Sequence, residues 1–278
     1  MKMLALIQFT LFEAFRRGML IFYFVVGTII IAVFAIWLRP SPEDPSLIML
    51  FGKILPGNIN GMSSADFFLL MLFRQSTFWI IVFGTFGAVG LMTSFLEKGI
   101  VELYLSKPFK RWELLAGRAL GASAGVTANL MYCIVGLWLV FGLKVGVWHL
   151  GFLTAGLLVA YAFVCYFSIV SFMAIWTRNA ILTIVFGLLF SFVSIGLESR
   201  ETGLYKLWDN TIYHRLLDVI YYGTPQLDGM LSNAARLIGH MPFSQETMAF
   251  TMAPYLYSSG VSALFYWLAI YYFSTRDF

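Results

Sequence analysis

The chain has 278 residues, of which 60% are hydrophobic and 12% are charged, and its formal net charge is +4. A soluble domain carries about 25% charged residues, whereas the mean hydropathy of this chain is +0.83. These values exclude an ordinary soluble protein and predict an integral membrane protein. The positive charge indicates no nucleic-acid partner, because basic residues beside a membrane face anionic lipids.

Six stretches lack Asp, Glu, Lys and Arg over about the 20 residues that a helix needs to cross a bilayer core. They are residues 18–38, 75–96, 119–143, 150–177, 180–197 and 255–273. The stretches are too long for barrel strands of about 10 residues. We therefore predict an all-α integral membrane protein with six transmembrane helices and a single transmembrane domain over residues 1–278.

Residues 3–17 precede the first span and predict a mostly apolar helix with interspersed polar positions. Glu13 and Arg17 are one helical turn apart and can pair, and Arg16 adds a second positive charge. We expect this N-terminal helix to lie along the membrane interface and to bend into the first span at Gly18.

The second and third spans carry small residues at intervals of three or four positions. The glycines are Gly84, Gly87 and Gly90 in the second span and Gly117, Gly121 and Gly125 at the start of the third. Small residues at this spacing predict close helix packing in lipid. Ser123 completes a formal G-x-S-x-G pattern, but a continuous apolar helix is not the strand-to-helix turn that a nucleophile elbow requires.

The residues that could support chemistry are few. The three histidines, His149, His214 and His240, lack metal-ligand spacing, and Cys133 and Cys165 are expected to pack within spans. No span contains an ionisable Asp, Glu, Lys or Arg, which argues against an ion-coupled carrier. No phosphate-binding loop is present, so nucleotide hydrolysis would belong to another chain. We expect no catalytic residue, no metal and no cofactor on this chain, which is not predicted to be an enzyme.

The distribution of basic residues indicates the orientation. With the N-terminus inside, the inner segments carry more than half of the 18 Lys and Arg residues on a much shorter length of chain than the outer segments. Basic residues concentrate on the cytoplasmic side of membrane proteins. We therefore expect both termini to be cytoplasmic.

The outer segment over residues 198–254 is too long for a simple connector. Its sequence predicts one amphipathic helix with Leu216 and Ile220 on its apolar face, and a second that opens with Thr224 as N-cap and Pro225 as first helical residue. We expect both helices to lie on, or dip into, the outer leaflet. The alternative is a small exterior cap that only packs.

The densest cluster of charge lies at residues 97–118, between the second and third spans. A short apolar turn ends at Pro108, and Arg111 to Arg118 begin the next helix. A short helix between two spans can transmit a movement of a soluble partner to both spans.

This segment resembles the corresponding loop in permeases of the ABC-2 group of ATP-binding-cassette exporters. The matching positions are Glu97, Gly99, Glu102, Leu105, Ser106, Pro108, Arg111, Glu113 and Gly117. Lys110 stands where the family commonly has a small hydroxyl residue, and Arg118 where it commonly has Lys. The N-terminal helix with Glu13, Arg16 and Arg17, and the terminal Arg276-Asp277-Phe278, are also similar to the ends of that family.

The resemblance implies an ATP-binding-cassette ATPase partner that holds ATP and magnesium and receives residues 97–118 as a coupling helix. The implied coupling residues are Glu97, Lys98, Glu102, Leu105, Lys107, Pro108, Arg111 and Glu113. It also implies a second permease copy or homologue, surrounding membrane lipids and a place in a prokaryotic cytoplasmic (inner) membrane.

The resulting expectation is the membrane-spanning permease subunit of an ABC exporter. In the family the first, second and fifth spans line the cargo path, which makes five aromatic residues candidates for cargo contact: Phe78, Phe83, Phe86, Phe186 and Phe190. One alternative is a mechanotransmitter that passes ATPase motion to an exterior partner without moving cargo. Another is an ATP-independent structural or assembly component of the membrane.

Overall fold

The computed structural model describes residues 2–42, 47–55, 63–96, 109–201, 203–208, 210–239 and 250–275. Within these ranges the chain forms nine α-helices, a short 3-10 helix over Leu204–Leu207 and a small sheet. The helices are α1 Lys2–Arg16, α2 Met19–Trp37, α3 Ser64–Phe95, α4 Arg111–Val145, α5 Leu150–Thr177, α6 Ala180–Glu198, α7 Thr211–Tyr222, α8 Leu227–Ala235 and α9 Ala253–Thr275. The predicted helical class is confirmed.

Five of the helices in the described ranges, α2 to α6, are long and apolar enough to cross a membrane. They indicate a multi-pass membrane protein. The predicted sixth span, residues 255–273, coincides with α9, which is 23 residues long. Its many tyrosines and serines lower its hydropathy, so α9 is not among the five.

The helix of the second predicted span is longer than its charge-free stretch. α3 begins at Ser64, and the side chain of Ser63 caps it by accepting a hydrogen bond from the backbone N–H of Asp66 at 3.1 Å. The early turns of α3 include Asp66 and Arg74. Because these charged residues lie within α3, the charge-free stretch begins only at residue 75, and the first part of the helix was not predicted.

The predicted N-terminal helix and its bend are both present. α1 buries Leu6, Thr10 and Ala14 on one face. Gly18 separates α1 from α2 with a φ of 73°, a left-handed conformation that residues with a Cβ rarely adopt.

The bundle is organised around α4 and α5. α4 contacts α1, α2, α3, α5 and α9, and α5 contacts α3, α6, α8 and α9. The glycines of α4 form the surface on which α1 rests: a Cβ on Gly117 would lie 2.7 Å from Leu6 Cβ, and one on Gly121 would lie 2.6 Å from Thr10 Cβ. These approaches confirm the predicted close packing at Gly117 and Gly121, whereas a Cβ on Gly90 would meet nothing within 4 Å.

A small antiparallel sheet follows α2. Its strands are β1 Leu38–Pro40, β2 Ile48–Leu50 and β3 Lys53–Ile54, in the order β1-β2-β3. Leu38 pairs with Leu50, and Met49 pairs with Ile54. Leu38 and Ile48 are fully buried, so the sheet closes one end of an apolar cluster that includes residues of α3, α4 and α5.

The two helices predicted in the outer segment are α7 and α8, but their placement differs. α7 exposes Ile212, Leu216 and Val219. α8 instead packs inside the bundle against α3, α5, α6 and α9 and buries Leu227 and Met230. The contacts of α8 are thus with other helices of the bundle, and the expected place of both helices at the outer leaflet stays a prediction.

The predicted start of the second outer helix is wrong. The hydroxyl of Thr224 donates a hydrogen bond to the backbone carbonyl of Ile220 at 2.8 Å. Thr224 therefore interacts with the C-terminal end of α7 and does not cap α8. Gln226 is the N-cap of α8, and the backbone N–H of Gln226 donates to Ser258 Oγ at 3.0 Å. A contact with α9, which local sequence does not show, thus helps to set where α8 begins.

Candidate functional site

The predicted coupling segment is described from residue 109 onward. Glu97, Lys98, Glu102, Leu105, Lys107 and Pro108 lie outside the described residues. Arg111 opens α4, as predicted, and Glu113 Oε2 accepts a hydrogen bond from the backbone N–H of Lys110 at 2.9 Å. An acidic side chain in the first helical turn also interacts favourably with the helix dipole. The segment therefore ends in a well-defined helix start.

The start of α4 is joined to the end of α9. Arg111 Nη1 donates a hydrogen bond to the backbone carbonyl of Ser274 at 3.0 Å. Nearby, the rings of Phe95 at the end of α3 and Phe273 in α9 lie 5.7 Å apart. The ends of α3 and α9 and the start of α4 therefore meet at one end of the bundle, which we call the α1 end.

A buried ion pair lies at the α1 end. Arg118 of α4 pairs with Glu13 of α1, and the side chains of Arg118 and Glu13 are 3% and 18% exposed. Glu13 also pairs with Arg17 at 2.9 Å, which confirms that predicted pair. Ser94 of α3 donates to Glu13 Oε1 at 3.4 Å. Glu13 thus connects α1, α3 and α4.

Aromatic rings surround the guanidinium of Arg118. Its central carbon lies 5.3 Å from the ring centre of Phe95 and 5.6 Å from that of Phe9. Rings at this distance attract a cation through their electron-rich faces. Arg118 lies in the predicted coupling segment, but its pairing with Glu13 was not predicted from sequence. The glycine stripe that brings α1 onto α4 was the signal that could have suggested it. Arg16, in contrast, is exposed.

The predicted cargo-path residues lie on α3 and α6. Phe78 meets Phe192 of α6 with ring centres 5.7 Å apart, and Phe86 is exposed. Phe186 and Phe190 stack at 6.4 Å on α6. Of these five residues, Phe83 alone lines a cavity between α2, α3 and α4 in the described part of the chain. The cargo role of these residues stays a prediction.

That cavity has a volume of about 390 Å³ and lies between α2, α3 and α4. Its wall is almost entirely apolar, and the amide of Asn129 is its most polar element. Asn129 is the most polar residue near the middle of the predicted spans.

A network of polar side chains lies at the opposite end, which we call the α8 end. Asp218 of α7 accepts hydrogen bonds from Arg200 Nε at 2.9 Å and from the Tyr205 hydroxyl at 2.6 Å. The hydrogen bond from Tyr205, followed by the contact with Arg200, lowers the pKa of Asp218. Tyr221 donates to Glu198 Oε2 at 2.9 Å. The network fixes α7 to the end of α6.

Asp228 at the start of α8 has an unusual environment. Burial, and then the negative charge of Glu198, raise the pKa of Asp228 to about 6, against the attraction of Arg74. The backbone N–H of Asp228 donates to Ser194 Oγ at 3.2 Å.

No group of three or more His, Cys, Asp and Glu side chains that could hold a metal ion occurs in the described ranges. Comparison of the chain with protein-family models and with curated proteins found no match.

Proposed function

We propose that the chain is the membrane-spanning permease subunit of an ABC exporter, driven by a separate ATPase that docks on residues 97–118. Two copies or homologues would form the translocation unit, with α9 as the sixth span, both termini in the cytoplasm and the α1 end facing the ATPase. The proposal rests on the resemblance of residues 97–118 to the coupling loop of ABC-2 permeases.

The observation that carries the mechanical part of the proposal is the set of contacts beside that loop. Arg111 binds the end of α9, while Glu13 joins Arg118 of α4 to α1 and lies beside Ser94 of α3. A displacement of the loop would therefore move α1, α3, α4 and α9 together. Interfaces of packed helices pass on such displacements because they adopt discrete arrangements.

Exposed apolar surface supports a partner in the membrane. α2 exposes Phe22 and Ile29, and α6 exposes Ile181 and Leu189. These faces suit lipid or a second copy of the chain.

Mechanotransmission without cargo remains a second candidate, because α8 is packed inside the bundle. Its contacts with α3, α5, α6 and α9 would couple helix movements to residues 198–254. Stimulation of ATP hydrolysis by a cargo would favour export over this candidate.

The coupling proposal is tested with Glu102→Ala/Arg111→Ala in the complex with its ATPase. We expect ATPase recruitment or turnover to fall about tenfold or more, since truncating one partner of a buried charge pair at an interface costs about 2–5 kcal/mol. Lys144→Ala is the matched control, because Lys144 is exposed at the other end of α4. If the double variant recruits and drives the ATPase as the wild type does, residues 97–118 are not the coupling element.

A further inference from the structure

The small sheet that follows α2 is held against the bundle at the α8 end. Leu38 of β1 and Ile48 of β2 are fully buried, in an apolar cluster that also contains Ala234 of α8. Ser64, the first residue of α3, accepts a hydrogen bond from the backbone N–H of Ile48 at 3.1 Å. One side of the sheet is thus fixed to the protein, whereas the turn between β2 and β3 is exposed.

That turn has an unusual residue. It consists of Phe51 and Gly52, whose φ angles are 51° and 78°. Positive φ at both central residues is typical of type I′ turns, in which Asn-Gly is preferred. A bulky side chain at positive φ is an outlier, and backbone strain of this kind clusters at functional positions. The requirements of the turn itself therefore do not explain Phe51.

The ring of Phe51 continues an exposed apolar surface. Its centre lies 5.4 Å from that of Trp37, the last residue of α2, and the two residues are 56% and 50% exposed. Along α2, the side chains of Phe22, Ile29 and Ile36 are also exposed. The outward-facing apolar stripe of α2 therefore extends through Trp37 onto the turn.

The length of α2 indicates the depth of this aromatic pair in the bilayer. α2 has 19 residues, which at 1.5 Å per residue gives a length of about 28 Å. A hydrocarbon core is about 30 Å thick, so a spanning α2 places Trp37 and Phe51 at its boundary. Aromatic side chains are enriched at this level of membrane proteins because they combine with both apolar tails and polar headgroups.

Positive charge begins where the apolar stripe ends. Arg39 and Lys53 follow Trp37 and Phe51 by two residues each, and both are exposed. Beyond the boundary of the hydrocarbon core lie the lipid phosphates, to which arginine and lysine donate charge-assisted hydrogen bonds. The change from apolar to cationic surface at the end of α2 fits a lipid layer better than a protein partner.

We propose that the sheet is a lipid-binding anchor, in which Trp37 and Phe51 insert between the headgroups at the α8 end and Arg39 and Lys53 bind lipid phosphates. The anchor fixes the depth of α2 in the bilayer. It depends on α2 crossing the membrane and not on an ATPase, so it can fail or hold independently of the proposed function.

The depth of residue 51 is measured by fluorine NMR on the full-length protein in phosphatidylcholine nanodiscs. Trifluoromethyl-phenylalanine replaces Phe51 and keeps the aromatic ring. Signal loss is compared for three paramagnetic agents: a lipid with a nitroxide near the headgroup, a lipid with a nitroxide at the end of its acyl chain, and a water-soluble gadolinium chelate. The same probe at Phe141, which is 1% exposed, is the control.

We expect the probe at residue 51 to lose most signal to the nitroxide near the headgroup, and the probe at residue 141 to keep its signal with all three agents. Greatest loss to the gadolinium chelate would place the turn in water, and greatest loss to the chain-end nitroxide would place it too deep. Loss to none of the agents would place the turn against a protein, such as a second copy. Each of these three results would overturn the proposal.

The contribution of the cations is tested with the same probe. Arg39→Gln/Lys53→Gln should increase the signal loss that the gadolinium chelate causes at residue 51, because the turn is no longer held to the phosphates. Lys206→Gln is the control, since Lys206 is exposed at the same end of the bundle but lies outside the sheet. Equal effects of the two changes would show that Arg39 and Lys53 do not bind the lipid phosphates.

Phe51→Asn separates the anchor from the turn, because the two roles predict opposite results. Asn tolerates positive φ, so a residue that serves only the turn would be improved by this change. An anchor would instead be lost with the ring. We expect hydrogen exchange at the backbone N–H of Leu55, which donates to the Ile48 carbonyl at 2.8 Å, to become severalfold faster in nanodiscs. Unchanged or slower exchange would contradict the anchor.

Discussion

The most consequential single residue at the α1 end is Arg118, because its charge is buried and its partner lies on another helix. Its side chain is 3% exposed and pairs with Glu13. Removing one member of a buried ion pair leaves the other charge uncompensated, which costs about 3–5 kcal/mol. The pair therefore makes α1 an integral part of the bundle and not only a surface helix.

We expect Arg118→Met to lower the free energy of unfolding by about 3 kcal/mol, because it strands the carboxylate of Glu13. The measurement is unfolding of the purified protein in mixed detergent micelles with increasing dodecyl sulfate. The double variant Glu13→Gln/Arg118→Met should recover much of the loss, since it leaves no unpaired charge.

Arg17→Met is the control for this pair. Arg17 binds the same carboxylate at 2.9 Å but its side chain is 47% exposed, so its loss should cost less than about 1 kcal/mol. If Arg17→Met and Arg118→Met lower the free energy of unfolding equally, the buried pair contributes no more to stability than the exposed pair.

Asp228 gives a second prediction at the scale of a residue, this time for pH. Its pKa of about 6 in the folded protein exceeds the value of about 3.9 in an unfolded chain, so the folded state binds the proton more tightly. Its contribution to stability is thus fully present below about pH 4 and is lost as pH rises through about 6. Asp228→Asn should raise the free energy of unfolding by about 2 kcal/mol at pH 8 and have little effect at pH 4.

Asp218→Asn is the matched comparison, because the pKa of Asp218 is shifted the other way. The hydrogen bond from Tyr205, and then Arg200, lower it, so the carboxylate form stabilises the fold above the unfolded pKa. Asp218→Asn should therefore destabilise the protein at pH 8. Unfolding curves at pH 4 and pH 8 check both signs, and a loss of stability in Asp228→Asn at pH 8 contradicts this account.

At the scale of elements, the contact between α1 and α4 depends on glycines. A Cβ on Gly121 would lie 2.6 Å from Thr10 Cβ, whereas a Cβ on Gly90 of α3 would meet nothing within 4 Å. We expect Gly121→Ala to force α1 away and to cost about 1–3 kcal/mol. Gly90→Ala should be neutral, or stabilising by up to about 1 kcal/mol, since alanine favours the helix.

The same dodecyl sulfate unfolding assay compares these two alanine variants. Their chemical change is identical, and both lie within long helices, so the difference between them reports the space beside each glycine. A Gly121→Ala protein as stable as Gly90→Ala would mean that α1 does not need its close approach to α4.

Most helices could be predicted from sequence because charge-free apolar stretches of membrane length have few other stable forms. α2, α4, α5 and α6 follow their predicted stretches, and α1 with its bend at Gly18 follows its polar pattern. The placement of α8 could not be predicted in the same way. Its apolar face fits a membrane surface or a protein interior equally well, and only contacts with distant helices decide between them.

The same physical limit applies to the candidate sites. The sequence identified Glu13 and Arg17 as a pair because they are one turn apart, but Arg118 is 105 positions from Glu13. Asn129 was visible as an isolated polar residue, yet the cavity beside it is formed by three helices that only the fold brings together. The spacing of residues along the sequence cannot show such long-range contacts.

At the scale of the whole molecule, the central claim is that this chain is moved by an ATPase that binds residues 97–118. The contacts of Arg111 and Glu13 would distribute that movement over α1, α3, α4 and α9. The chain would then transmit the energy of a partner's ATP hydrolysis and supply the path through the membrane.

The most direct test is the ATPase content of the complex purified from native membranes in mild detergent. Our account predicts about one ATP-binding-cassette ATPase chain per permease chain in the wild type, as the coupling arrangement requires. It also predicts an unchanged ratio in Lys144→Ala and a clear loss of ATPase, or of its ATP turnover, in Glu102→Ala/Arg111→Ala. A wild-type complex without such an ATPase, or a double variant that keeps both ratio and turnover, would contradict the account.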